Sequence, residues 1–256
     1  VNILIVPDQH ANPDTSNDRF LWLGRFILDR QPDIIVNLGD LYDMNSLSSY
    51  DKGKKSFEGR RYKLDIDVGV DALQKMDQPW NDFNNKRRNI RKARLKSPRK
   101  IITLGNHEHR IIRAVEDSPQ LDGVLSLDNL RLQEFEYEVY PFKHPICVNG
   151  IWISHFFPSG VLGQPIGGVN IAASMIQKNM VSSICGHTHT WDHAIRSRPD
   201  GTKVIGLCAG WYGEQATYSD ATEQLWVSCV SMLHDVHDGV FDLEQISIER
   251  IKRQYG

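Results

Sequence analysis

Aspartate, asparagine and histidine recur at five points of the chain, each just after a short apolar run. They are Asp8 and His10, Asp40 and Asp43, Asn106 and His107, His155, and His187 and His189. Oxygen and imidazole donors without a thiolate suit manganese, iron or zinc, whereas magnesium prefers oxygen alone. Asp8, His10, Asp40, Asn106, His155, His187 and His189 form the candidate ligand set. Asp40 takes the central place, because a carboxylate has two oxygens and can bridge two cations. Two divalent ions roughly 3.5–4 Å apart can bind a phosphate and lower the pKa of a shared water, which yields a bridging hydroxide suited to in-line attack on phosphorus.

Such side chains need a rigid edge. The runs Asn2–Val6, Asp33–Leu38, Lys100–Leu104, Ile151–Ser154 and Val181–Cys185 read as buried strands. In α/β sheets, ligands bind at the carboxyl ends of such strands. Asp8 and His10 stand two residues apart, so extended backbone would turn both toward one ion, while His187 and His189 share that spacing and could each face a different ion. Thr15-Ser16-Asn17-Asp18 reads as a helix start and Pro32 as its end, a βαβ opening that implies parallel neighbours. Residues 44–61 read as a long loop, and Tyr62–Asp77 and Pro79–Leu95 as two helices broken at Pro79. A helix is expected from about 107 to 116 and another over Gly167–Asn179, with extended segments at 135–141 and 145–154. Pro199-Asp200-Gly201-Thr202 and Asp238-Gly239 are hairpin signals. The expected fold class is α/β, two packed sheets flanked by helices. A single domain would span residues 1–256, with 44–99 as a basic helical insert.

Length and composition suit a soluble globular chain with a sizeable core: 256 residues, 40% hydrophobic and 24% charged. No apolar run approaches the ~18–20 residues of a membrane span, and no basic-then-apolar leader opens the sequence. Cys147, Cys185, Cys208 and Cys229 stand singly in apolar settings and read as reduced core residues. Together these point to a cytoplasmic protein without a membrane partner. Net charge is −2, yet residues 51–100 hold 16 of the 30 Lys and Arg against 7 of the 32 acids, a local +9 that leaves −11 elsewhere. A basic face beside an acidic, cation-binding body is implied.

Asp8-x-His10, Gly39-Asp40-x-x-Asp43, Gly105-Asn106-His107-Glu108, His155 and Gly186-His187-x-His189 resemble, complete and in order, the motifs of calcineurin-like metallophosphoesterases. The resemblance covers residues 1 to about 190 and implies a β-sandwich flanked by helices. It implies that Asp8, His10, Asp40 and His189 hold one ion, and that Asp40, Asn106, His155 and His187 hold the other. His107 would face the substrate as proton donor or charge stabiliser, with Asp43 orienting its imidazole. Two departures stand out: Phe156 follows His155 where relatives commonly have Gly, and Met44 occupies the place of a phosphate-gripping Arg in the phosphoprotein phosphatase branch. Arg110 is the candidate for supplying that charge.

Residues 84–100 carry nine basic residues and no acid, which would attract a polyphosphate backbone. Arg87, Arg91 and Arg94 are therefore candidate substrate contacts, and Phe57 and Tyr62 are candidates for stacking, with core packing the competing role. The stretch 46–63 is similar to one in phage-encoded, nuclease-like members of the family. The expected function is a phosphodiesterase acting on DNA, RNA or nucleotides with two divalent ions, manganese first and iron or zinc next. A phosphomonoesterase or phosphoprotein phosphatase is the alternative, and a non-catalytic, metal-stabilised binding scaffold is the alternative of another class.

Overall fold

The protein is described from a computed structural model, covering residues 1–214 and 225–256. Its strands are β1 (Ile3–Val6), β2 (Ile34–Asn37), β3 (Arg99–Thr103), β4 (Tyr137–Tyr140), β5 (Ile146–Val148), β6 (Ile151–Ile153), β7 (Pro158–Ser159), β8 (Gln164–Pro165), β9 (Ser183–Cys185), β10 (Trp191–Ser197), β11 (Lys203–Ala209), β12 (Cys229–His237) and β13 (Val240–Ser247). The helices are α1 (Asp18–Arg30), α2 (Tyr62–Asn89), α3 (His109–Asp117), α4 (Ile171–Asn179) and α5 (Ile248–Tyr255), with short 3-10 turns between them.

A six-stranded sheet runs in the order β13-β12-β1-β2-β3-β4, and a five-stranded sheet in the order β10-β11-β9-β6-β5. β1 to β4 are mutually parallel, as are β6, β9 and β11, so their carboxyl ends share an edge in each sheet. The hairpins at 199–202 and 238–239 supply the antiparallel edges. Alternation along the strands explains the layering. Ile3 and Ile5, Ile34 and Val36, and Ile101 meet Ile153, Ile184, Ile205 and Leu207 of the second sheet. Leu4, Val6, Ile35 and Ile102 turn the other way, against Phe20, Leu23, Leu73 and Met76 of the first two helices. On the outer face of the second sheet, α4 packs Ile171 and Met175 against Cys185 and Cys208. The result is helix, sheet, sheet, helix, an α/β fold with both sheets covered. No helix among the described residues is long and apolar enough to cross a membrane.

Several local expectations are corrected. The first helix starts at Asp18 rather than Thr15; Asn17 precedes it without capping, its amide donating instead to Val68 O (2.8 Å) and Asp71 Oδ2 (2.9 Å) of α2. Pro79 does not break the insert, and α2 is one helix of 28 residues. Packing outweighs the lost N–H: a Cβ on Gly24 would lie 2.2 Å from Met76 O and 3.0 Å from Pro79 Cδ, so α1 lies directly against α2 at the proline. The helix then ends at Asn89, and residues 92–98 run without regular structure into β3. The fourth helix begins at Ile171, not Gly167. Cys147 is not a core residue; it faces out from the edge strand β5, while the other three cysteines are buried.

Because Gly24 carries this contact, Gly24→Val is expected to cost about 1–3 kcal/mol by overpacking, read as a lower urea midpoint with an unchanged slope.

Candidate metal centre

The carboxyl ends of β1, β2, β3, β6 and β9 deliver the candidate ligands to one place. Three groups of side chains converge closely enough to hold a cation: Asp8, His10 and His189; Asp40, His155 and His187; and His10, Asp40 and His107. Asp40 belongs to two of them. Asn106 joins the second through Oδ1, 2.9 Å from His155 Nε2. The structure thus brings all seven candidate ligands together, with His187 and His189 facing different groups.

Strand alternation is not what aligns them. β1 ends at Val6, and His10 (φ 45°), Asp40 (49°), His187 (71°) and His189 (61°) all sit in the left-handed region. Each such non-glycine residue costs of order 1 kcal/mol or more and persists only where its surroundings hold it. The holding contacts are identifiable. Asp40 O accepts from His10 N (2.8 Å) and Gln9 N (3.0 Å). Buried Arg19 donates to Gln9 O (2.6 Å) and His10 O (3.3 Å). Asp8 Oδ2 accepts from His187 N (2.8 Å), and Asp8 O accepts from Tyr212 N (2.7 Å). Trp211 stacks on the His189 ring at 5.6 Å.

Glu108 joins the second and third ligand loops. Its buried carboxylate accepts from Asp40 N (3.0 Å), Gly105 N (2.8 Å) and Tyr42 N (3.0 Å). Burial and the charge of Asp40 push its pKa up, while the amides of Tyr42 and Gly105 pull it back. Two glycines make room for the carboxylates. A Cβ at Gly105 would lie 2.0 Å from Asp40 Oδ1, and one at Gly186 2.2 Å from Asp8 Oδ1.

The donor set fits divalent cations. His155 Nδ1 donates to Leu38 O (2.8 Å), so its Nε2 lone pair would face Asp40 Oδ2 (3.3 Å), Asn106 Oδ1 and His187 Nδ1 (3.1 Å). Acceptors crowded in this way require a proton or a cation among them. Without a metal the proton serves: burial alone would lower the His155 pKa, but the charges of Asp40 and Asp8 outweigh it and push it up to about 10. His187 goes the other way, to about 4, through burial and the neighbouring His155. His10 Nε2 and His189 Nε2 likewise face each other at 3.0 Å. Asp8 Oδ1 is buried with no hydrogen-bond partner among the described residues. Ring nitrogens and carboxylate oxygens turned inward on one another suit a metal better than a packed core.

His107 stands beside this group. Its Nδ1 lies 2.7 Å from Asp43 O and 2.9 Å from Asp43 Oδ1, so Nδ1 donates, and Nε2 is turned toward Asp40 Oδ2 (3.8 Å) and Arg110. Asp43 Oδ1 is also 3.2 Å from His10 Nδ1. Burial would raise the Asp43 carboxyl, yet hydrogen bonds from His10 and His107 hold it far below the usual carboxylate range. Arg110 is close to His107 Nε2 (3.3 Å) but nine-tenths buried, donating to Asp43 O (2.9 Å) and Met44 O (3.3 Å). Phe156, the departure after His155, packs its ring 5.0 Å from that of His187.

Arg87, Arg91 and Arg94 do not lie at this centre. They lead into Arg99 at the start of β3, which pairs with Asp33 before β2, whereas the ligands follow the other ends of those strands. Tyr62 packs on the helical core with its hydroxyl on Asn129 Oδ1 (2.9 Å), and Phe57 lies near Arg60. Sequence reasoning assigned no role to Glu108, although the motif spells it out, and passed over Arg19, which carries no local signal. Trp211 packs on His189, while Tyr212 donates its N–H to Asp8 O and sets its ring against Phe20.

No protein-family model matches the chain, and comparison with curated proteins finds no match. Among solved structures the chain is similar to an archaeal phosphodiesterase, at 12% identity over 96% of this chain and 100% of that one, with a TM-score of 0.42. It is also similar to YfcE, a phosphoesterase from E. coli, at 11% identity over 97% of this chain and 100% of that one, with a TM-score of 0.38.

Glu108→Gln must turn an amide NH₂ toward a backbone N–H, and a loss of about 3 kcal/mol is expected in urea unfolding. Separately, Mn²⁺ at about 100 times its Kd should stabilise the parent by about 2.7 kcal/mol, read as a higher melting midpoint, with a much smaller gain in Asp40→Asn.

Proposed function

We propose that the protein is a metal-dependent phosphoester hydrolase, acting as a phosphodiesterase on nucleic acid or nucleotides. The observation that carries the reading is the convergence of oxygen and nitrogen donors from seven residues, with Asp40 shared between groups and His107 at their margin. Asp8, His10, Asp40 and His189 would hold one divalent cation, and Asp40, Asn106, His155 and His187 a second, manganese being the first choice of ion. Bound there, the cations would supply Lewis acidity toward a phosphoryl oxygen and toward water.

The chain's own residues do the rest. Asp43 takes the Nδ1 proton of His107 in a hydrogen bond, fixing the ring so that Nε2 can hold a proton and pass it to a leaving oxygen. Asp43 reaches His10 through the same oxygen, so the proton-holding imidazole and a ligand imidazole are oriented by one carboxylate. Arg110, engaged by the carbonyls of Asp43 and Met44, buttresses that turn rather than presenting its guanidinium outward. Phe156 packs its ring against His187, and Trp211 stacks on His189.

Hydrolysis of bis-p-nitrophenyl phosphate in Mn²⁺ is expected to exceed that of p-nitrophenyl phosphate, and His107→Ala to lose about 100-fold or more in kcat. Turnover of the monoester alone would instead make the protein a phosphatase. Silence on both esters, together with Mn²⁺-dependent thermal stability, would make it a binding scaffold.

A further inference from the structure

The metal centre uses none of the nine basic residues in 84–100. Arg99 is paired with Glu138 and Lys100 with Asp77. Among the described residues the other seven, Lys86, Arg87, Arg88, Arg91, Lys92, Arg94 and Lys96, have no carboxylate partner, and all but Arg87 are exposed. Lys86, Arg87 and Arg88 stand in the last turn of α2, where they offset the negative end of the helix dipole. That effect fades within a turn, so it does not account for the charge at Arg91, Lys92, Arg94 and Lys96.

The segment is fastened in place. Asn84 Nδ2 donates to Leu95 O (3.2 Å), and its Oδ1 accepts from Leu95 N (2.8 Å). Lys92 N donates to Arg87 O (2.9 Å), and Arg87 Nε donates to Ala93 O. Leu95 packs inward, leaving Arg94 and Lys96 exposed on either side of it. Beside them opens a cleft of about 450 Å³, lined by Gln31, Pro32, Trp80, Leu95, Ser97 and Pro98, with Lys96 and Arg99 against a single carboxylate, Asp33. Trp80 is 8% exposed, and its indole N–H has no hydrogen-bond partner among the described residues. The run exposes one large apolar side chain, Ile90, and so lacks the apolar face that a lipid surface would engage.

From this we infer a second, non-catalytic site for a nucleic acid strand at the sheet edge opposite the metal centre. Lys86, Arg88, Arg91, Arg94 and Lys96 grip backbone phosphates, and the Trp80 cleft beside them receives a base or sugar. The inference rests on the hydrolase reading only for the choice of polyanion. From Asp65, whose carboxylate accepts from Ser46 N near the metal centre, to Arg88, α2 spans roughly 35 Å at about 1.5 Å per residue. At about 3.4 Å per nucleotide, the rise of a stacked strand, about ten nucleotides span that distance, and a dinucleotide cannot.

The test is fluorescence anisotropy of a labelled single strand of about 30 nucleotides, in EDTA, from about 50 to 200 mM salt. The probe is titrated with the parent and with Lys86→Gln/Arg88→Gln/Arg91→Gln/Arg94→Gln/Lys96→Gln, five changes on exposed side chains. The variant is expected to bind at least about tenfold more weakly, with a log–log salt slope shallower by about 3. Lys52→Gln/Lys54→Gln/Lys55→Gln, the same kind of change elsewhere, should bind like the parent. Equal affinity of parent and quintuple variant would overturn the site. So would displacement of the strand by polyglutamate, or by phosphatidylserine vesicles, as readily as by unlabelled strand. Because binding is read without metal, failure of the hydrolase reading shows separately, as absent turnover of bis-p-nitrophenyl phosphate by the parent. In the quintuple variant that turnover should be unchanged, while KM rises for the long strand and not for a dinucleotide.

Discussion

The arrangement depends on one buried carboxylate accepting three backbone hydrogens. Glu108 ties Asp40 N and Tyr42 N from the turn after β2 to Gly105 N from the turn after β3. Charge-assisted bonds of this kind, inside a dry core, are stronger than neutral ones and directional. They keep the two loops at a fixed separation, and His107 N then reaches Asp40 Oδ1 at 2.8 Å. With that spacing set, Asp40 faces His155 on one side and the His10 and His107 rings on the other. The shared carboxylate therefore has its place because Glu108 organises backbone rather than side chains.

The cost of the centre is local strain and mutual repulsion. Four ligand residues adopt left-handed backbone, and ring nitrogens meet at 3.0 and 3.1 Å. Nothing in ordinary packing favours this. Two apolar layers, the β1–β2–β3 residues against the second sheet and against α1 and α2, are what make the edge stiff enough to sustain it. A fully buried Ile or Leu contributes roughly 1.5–3 kcal/mol, so a handful of such residues per strand outweighs the strain at its end. A cation, or the extra proton on His155, relieves what remains.

The same parallel sheet separates two kinds of charge. Carboxylates and imidazoles gather where β1, β2 and β3 end, and unpaired guanidinium and ammonium groups gather where β3 begins. Since α2 runs between these edges, a chain that reads as one basic insert contributes one end near the metal centre and the other far from it. The uneven charge along the sequence is divided only in part: Lys86 to Lys96 lie away from the candidate centre, whereas Arg60, at the near end of the insert, pairs with Asp51 and donates to Asn45 O.

Much was legible beforehand, and for a physical reason. Buried parallel strands need continuous apolar runs, and Asp, Asn or His breaking out of them at five points is conspicuous, so Asp8, Asp40, Asn106, His155 and His187 stand out together as candidates where each alone would read as a turn or core residue. The two-layer sheet followed from the same runs and from hairpin signals. What sequence spacing could not give is how these residues meet. His10 and His189 reach Asp8 by left-handed turns rather than by strand alternation, and such turns are set by distant contacts, Arg19 on one loop and Trp211 beside the other. Pro79 reads as a helix breaker because local chemistry makes it one, and only the close approach of α1 at Gly24 keeps α2 whole. That straight helix, in turn, decides where Arg87, Arg91 and Arg94 lie. The sequence by itself determined which atoms are available for metal and phosphate chemistry, since donor type is a property of each residue. The tertiary structure decided which of them share a centre, because convergence depends on contacts between residues as far apart in the chain as Asp8 and His189.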